Sequence, residues 1–222
     1  MAKVKIGNVY PSHQYLMERC APAGFGLGGN GELVEISSIN ELDSLSNNGW
    51  YTIHSSNNLT AGGLSFSACV LEISSLSETY GWQIIRFLGK NSILIRHKNN
   101  NVWGEWEWEN PPMELGKEYR TTERWNGKPV YIKSVDLGNL PDTANSMGAT
   151  WVDGSFYGSG VKSVIACGGC MYKGTEWSGA LPYFSVGVQV YVVASNTTVG
   201  LWASDGSFKD RTATVWVKYT KE

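Results

Sequence analysis

Three glutamates recur at every second position among tryptophans in Trp103-Gly-Glu105-Trp106-Glu107-Trp108-Glu109. Paired carboxylates beside an aromatic platform are the equipment of glycoside hydrolysis, one serving as acid and the other as base or nucleophile. Two steps along a strand separate neighbours by ~6.6 Å, inside the roughly 6.5–9.5 Å used for inversion. The directions do not suit that chemistry. Catalytic carboxylates flank the scissile bond from opposite sides, whereas neighbours on one strand face point the same way. The alternation therefore predicts a solvated glutamate face, with Gly104, Trp106 and Trp108 turned toward the core.

Cys167-Gly-Gly-Cys170 has the spacing of metal and redox sites. A structural zinc needs a second ligand pair. The other cysteines, Cys20 and Cys69, lie in distant segments, and His13, His54 and His97 form no pair. A thioredoxin-like motif needs a helix after it, but Met171-Tyr172 continues as a β-like run. Free core or turn thiols are expected, with no metal and no cofactor. Gly24-Phe-Gly-Leu-Gly-Gly29 lacks the strand–helix context and the Lys-Ser/Thr of a nucleotide loop. No nucleophile elbow is present. No catalytic set assembles, and the chain is expected not to be an enzyme.

The aromatics remain: ten tryptophans and eleven tyrosines. Most such residues in β proteins serve the core or subunit contacts. Trp151, in Ala-Thr-Trp-Val-Asp-Gly, and Trp177, in Gly-Thr-Glu-Trp-Ser-Gly, read as loop residues with polar flanks. Trp216 falls on the strand face opposite Val215, Val217 and Tyr219. With Tyr183, these are the candidate ligand contacts, stacking on sugar rings. Core packing and subunit contact are the competing uses.

The elements that must carry these residues read as all-β. Charged residues are 17% and glycines number 26, which suits short strands and tight turns better than helices. A net charge of −2 supplies no basic field for nucleic acid. No apolar run approaches the ~20 residues of a membrane helix, and no signal-peptide core follows Met1. Residues 1–36 read as a leader with one short helix from Ser12 through Arg19. Residues 37–110 begin with a capping box, Ser38 and Glu41, for a helix over Ile39–Leu45. They continue as a meander with strands at Trp50, Cys69–Ser74, Trp82–Leu88, Ser92–His97 and Val102–Glu109. Pro111-Pro112 ends strand character, so 111–128 reads as a linker with an Asn126-Gly127 hairpin signal. Residues 129–222 hold strands Val130–Leu137, Val161–Tyr172, Ser185–Ala194, Thr198–Ala203 and Thr212–Tyr219. These suggest a C-terminal β-sandwich, in which Val186, Val188, Val190 and Val192 form a core face.

The stretch Glu118-Tyr-Arg-Thr-Thr-Glu-Arg-Trp-Asn-Gly-Lys-Pro-Val-Tyr-Ile-Lys133 resembles a junction in tail-fibre and tail-tip proteins of phages and prophages of gut bacteria. Asp136-Leu-Gly-Asn-Leu-Pro-Asp142 and Tyr219-Thr-Lys221 are similar to that family's C-terminal domain. Asn48-Gly-Trp-Tyr51 through Ile93-Leu-Ile-Arg96, with Trp103-Gly-Glu-Trp106, is similar to the knob domain of pyocin-type fibres. Ala21-Pro-Ala-Gly-Phe-Gly-Leu-Gly28 resembles their leaders. The resemblance implies a non-enzymatic virion component made in the bacterial host cytoplasm. It implies a homotrimer, other phage tail proteins as partners, and adhesion to a bacterial surface glycan. Receptor residues in that family sit in variable loops, so none transfers by position. Two alternatives stand beside this reading: a structural baseplate or fibre-cap protein without ligand, and a glycan depolymerase.

Overall fold

The computed structural model describes residues 39–45, 48–53, 59–66, 68–88, 91–143, 146–152, 160–175, 177–185, 188–195 and 198–222. The expected leader, with its helix from Ser12, and the capping residue Ser38 lie outside these. Among the described residues the protein is all-β apart from one short helix, and it divides into two compact units that meet in sequence at Trp106/Glu107.

The first unit contains α1 (Ile39–Ser44) and strands β1 (Gly49–Ile53), β4 (Cys69–Ser75), β5 (Gly81–Phe87) and β6 (Ile93–Asn99). The strands lie in that order, every neighbouring pair antiparallel. A two-stranded ribbon, β2 (Leu59–Ala61) with β3 (Leu64–Phe66), stands apart, and β7 (Val102–Trp103) pairs with β6. Alternation does the sorting. Tyr51, Ile53, Cys69, Leu71, Ile73, Ile85 and Leu94 are buried together with Leu42 of the helix. Trp50 and Trp82 alternate to the other face and are exposed.

A helix of six residues has no stability of its own, and here a buried polar group anchors it. The Arg96 guanidinium donates from Nη2 to Asp43 Oδ1 at 2.6 Å, and from Nε and Nη2 to Gln83 Oε1 at 2.9 and 2.7 Å. The Gln83 amide donates onward to the Leu42 carbonyl. Arg96 lies 4.7 Å from the Trp103 ring centre and 4.4 Å from that of Trp106. Burial pulls this guanidinium below its usual range, and the bond to Asp43 acts against that pull. Trp103 and Trp106 thus converge on one cation, because the chain leaves strand geometry over 104–106.

Cys69 is 1% exposed, and burial pushes its thiol from 9.0 up to about 12. The unfolded thiol ionises from its ordinary value, the folded one only near 12, so between those values the unfolded chain has given up a proton that the folded chain keeps. Stability contributed by this neutral thiol is complete below pH 9 and is lost toward pH 12. Urea titrations of the 1–106 unit across this window are expected to show a falling midpoint. The fall should be shallower in Cys69→Ala; an unchanged slope would remove the assignment.

The second unit is a two-sheet sandwich. One sheet runs β8 (Glu107–Trp108), β9 (Glu118–Trp125), β10 (Lys128–Asn139), β17 (Thr212–Lys221), β12 (Val161–Lys173) and β13 (Trp177–Leu181). The other runs β11 (Ser146–Val152), β16 (Thr198–Ala203), β15 (Val188–Ala194) and β14 (Tyr183–Ser185). The core between them takes Val215, Val217 and Tyr219 from β17, Val135 and Leu137 from β10, Met171 from β12, and Val190, Val199 and Leu201 from the facing sheet. Val192 packs against this core, while the side chains of Val186 and Val188 lie outside the described residues. Residues 111–128, expected as a linker, hold the whole of β9. It pairs antiparallel with β10 through the Asn126-Gly127 turn, both turn residues having positive φ.

The glutamate face expected over 105–109 is corrected. Glu105 and Glu109 are exposed, but Glu107 is 6% exposed and clamped by two arginines. Arg120 Nε donates to Glu107 Oε1 at 2.9 Å, and Arg124 Nη2 donates to both carboxylate oxygens at 2.8 and 2.7 Å. Parallel pairing of β8 with β9, Trp108 opposite Thr121, places Glu107 on the side of the arginines and Trp108 on the other.

Candidate functional site

The outer face of the larger sheet carries the site. Register sets Tyr119, Ile132 and Lys218 in one cross-strand row and Ser134, Trp216 and Gly168 in the next. Trp216 leans on Gly168: a Cβ at that glycine would lie 2.7 Å from Trp216 Cζ2 and 3.0 Å from Cε2. A side chain there would occupy the space of the indole, so the glycine is what lets a large ring lie down against β12.

The stretch 109–117 folds back over this face as a strap. Trp108, 1% exposed, meets Tyr119 edge-on at 5.6 Å beneath it. The strap is tied at its far end: the Gly116 amide donates to the Ser134 carbonyl at 2.7 Å, and the Glu114 amide to the Tyr119 hydroxyl at 3.2 Å. Met113 and Gly116 turn it with positive φ.

Between strap and sheet lies a cleft of about 380 Å3. The strap contributes Glu109, Asn110, Pro111 and Met113; the sheet contributes Thr121, Thr122, Glu123, Ile132, Trp216 and Lys218. Lys218 Nζ is held by both oxygens of Glu123 at 2.6 and 2.8 Å. An indole, a few apolar groups and several hydrogen-bonding side chains converge on one concavity, the usual make-up of a small-ligand site.

No protein-family model and no curated protein matches this chain. Among solved structures it is similar to an N-truncated R2-type pyocin tail fibre, at 11% identity over 87% of this chain and 98% of that one, TM-score 0.29. It is also similar to a C-terminal portion of the P. aeruginosa R1 pyocin fibre, at 12% identity over 89% and 69% of the two chains, TM-score 0.29. A C-terminal portion of the P. aeruginosa R2 pyocin fibre gives 11%, 87% and 67%, TM-score 0.30. TM-scores this low do not establish a shared fold.

Of the aromatics picked out in the sequence, Trp216 alone among the described side chains reaches the cleft. Tyr183 is half-buried, packing edge-on against Phe208 at 5.4 Å and against the sandwich core. Trp151 and Trp177 are not loop residues. Trp151 sits in β11 opposite Val199, and Trp177 opens β13 opposite Lys173; their side chains lie outside the described residues. Cys167 and Cys170 alternate to opposite faces of β12, opposite Val217 and Thr214, so they cannot share a ligand. The strap residues and Thr121 through Glu123 were missed. The available signal was a double proline followed by Gly116 and a strand, which marks a break in pairing but not the path the chain then takes.

Proposed function

We propose that this is a tail-fibre-type adhesion protein of a phage or phage-like particle, not an enzyme, which holds a bacterial surface glycan in the cleft beside Trp216. The observation that carries the reading is the indole laid against Gly168 at the rim of a concavity rich in hydrogen-bonding side chains. Pyranose faces stack on flat aromatics, and hydroxyl groups need fixed polar partners around them. The similarity of residues 118–133 to fibre junctions supplies the setting. The protein acts as a homotrimer beside other tail proteins, where three weak sites gain from being held together.

A bacterial glycan array with the purified chain tests this. Trp216→Ala should lower binding at least tenfold while costing about 1 kcal/mol of stability, well short of the roughly 3–5 kcal/mol for a fully buried tryptophan, because the ring is only half-buried. No signal from the unaltered protein on any bacterial glycan would sink the adhesion reading and favour the structural one. Sedimentation velocity reads the assembly, with a monomer at micromolar concentration counting against the fibre setting.

One observation favours depolymerisation as a second reading. Glu109 and Glu123 line the cleft from its two walls, strap and sheet. Reducing ends released from a bound polysaccharide, and abolished by Glu109→Gln or Glu123→Gln, would establish it.

A further inference from the structure

The lining of the cleft also constrains what kind of sugar it takes, and the argument rests on the adhesion reading. The charged side chains in the lining are Glu109, Glu123 and Lys218. The ammonium of Lys218 is already committed to both oxygens of Glu123. An acidic sugar would therefore meet two carboxylates and a cation that must break an existing pair to greet it. Like charges set together in one site are costly and serve to exclude the wrong ligand. Such a lining disfavours uronates, sialic acids and phosphorylated sugars.

Its apolar part is equally informative. Pro111 and Met113 from the strap and Ile132 and Trp216 from the sheet make up its apolar lining. A bare hexose places hydroxyl groups all round its ring and would leave this patch in contact with polar atoms. An acetamido group differs in bringing one methyl beside an amide that both donates and accepts. Thr122 and Asn110 offer partners to that amide within the same lining. Burying one methyl against apolar neighbours is favourable, and a satisfied amide adds a hydrogen bond.

We propose that the cleft selects an uncharged N-acetylated hexosamine, with the pyranose face on Trp216 and the acetamido methyl between Met113, Pro111 and Ile132. The carbohydrate and its acetyl group are thus read by different walls, sheet for the ring and strap for the methyl.

The test is calorimetric titration of the full chain with the methyl glycosides of N-acetylglucosamine, N-acetylgalactosamine and N-acetylmannosamine. Their parent hexoses and methyl glucuronide are run alongside. At least one N-acetylated sugar should bind tenfold or more tightly than its parent, and glucuronide should not bind. Met113→Ser should narrow the difference between acetylated sugar and parent, while Trp216→Ala should weaken both. Equal binding of a parent hexose, or preference for glucuronide, would overturn the acetamido assignment and leave the adhesion reading standing. Absence of binding by every sugar in this panel would overturn the assignment alone if the bacterial array is positive, and both if the array is blank. If no sugar binds and Trp216→Ala dissociates the oligomer, the cleft is a subunit contact and the proposal falls.

Discussion

Glu107→Gln is expected to destabilise the 107–222 unit by about 3 kcal/mol, because removing one partner of a buried ion pair leaves the other charge uncompensated. Here one carboxylate, 6% exposed, serves two guanidinium groups, so a single substitution removes the anionic partner of both. The magnitude is held to the lower end because Arg120 and Arg124 keep part of their surface in water, at 25% and 37% side-chain exposure. Gln keeps the shape and one acceptor but loses the charge, so it separates electrostatics from packing. Urea denaturation followed by fluorescence measures it. A loss below ~0.5 kcal/mol would mean that the clamp behaves as an ordinary surface pair. The same substitution distinguishes this role from catalysis: a structural carboxylate changes the midpoint, while a catalytic one changes turnover in a protein of normal stability.

Trp108→Ala should cost about 4 kcal/mol, the range for truncating a fully buried large aromatic. The ring is covered and meets Tyr119 edge-on. Tyr119 in turn accepts the Glu114 amide from the strap. Loss of the indole should therefore be felt twice, as lowered stability and as a slackened strap wall. Trp108→Phe, which keeps an aromatic edge, should recover a large part of the stability. Calorimetric unfolding of the three proteins reads the first effect, and glycan titration of whichever variants remain folded reads the second. Trp108→Ala with an unchanged midpoint would show that the strap packs without it.

What the sequence revealed and what it concealed follow from the range over which each pattern acts. The β17 pattern was readable because Val215, Val217 and Tyr219 alternate with Thr214, Trp216 and Lys218, and a strand between two neighbours obeys period two along its length. The same rule failed at 103–109. Irregular backbone over 104–106 let Trp103 and Trp106 meet on Arg96, and the following strand pairs parallel with β9. Period alone cannot report a partner that arrives from residues 120 and 124. Trp177 was read as a loop residue because polar residues and glycines flank it in Gly-Thr-Glu-Trp-Ser-Gly. It is nonetheless the first paired residue of a hairpin. Trp151 was obscured by the register shift between Met147 and Thr150, which breaks alternation within β11. The cleft required knowing that 109–117 reverses onto the sheet. Prolines announce an end to pairing but not where the chain goes next.

The order of strands in the second unit also bears on how the protein is made. β17 lies between β10 and β12, with Val130 opposite Thr220 and Val161 opposite Lys221. Its partners are synthesised tens of residues before it and must wait. Strands of the first unit pair with close neighbours in sequence, as β4 does with β5 and β5 with β6. Local pairing closes quickly and distant pairing slowly. On the ribosome the first unit can therefore complete its meander while β10 and β12 still have open edges. Those edges are the interval of greatest exposure to aggregation. A nascent chain of this design is safest when the strand that fills the gap emerges soon after them, or when a chaperone covers the gap until it does.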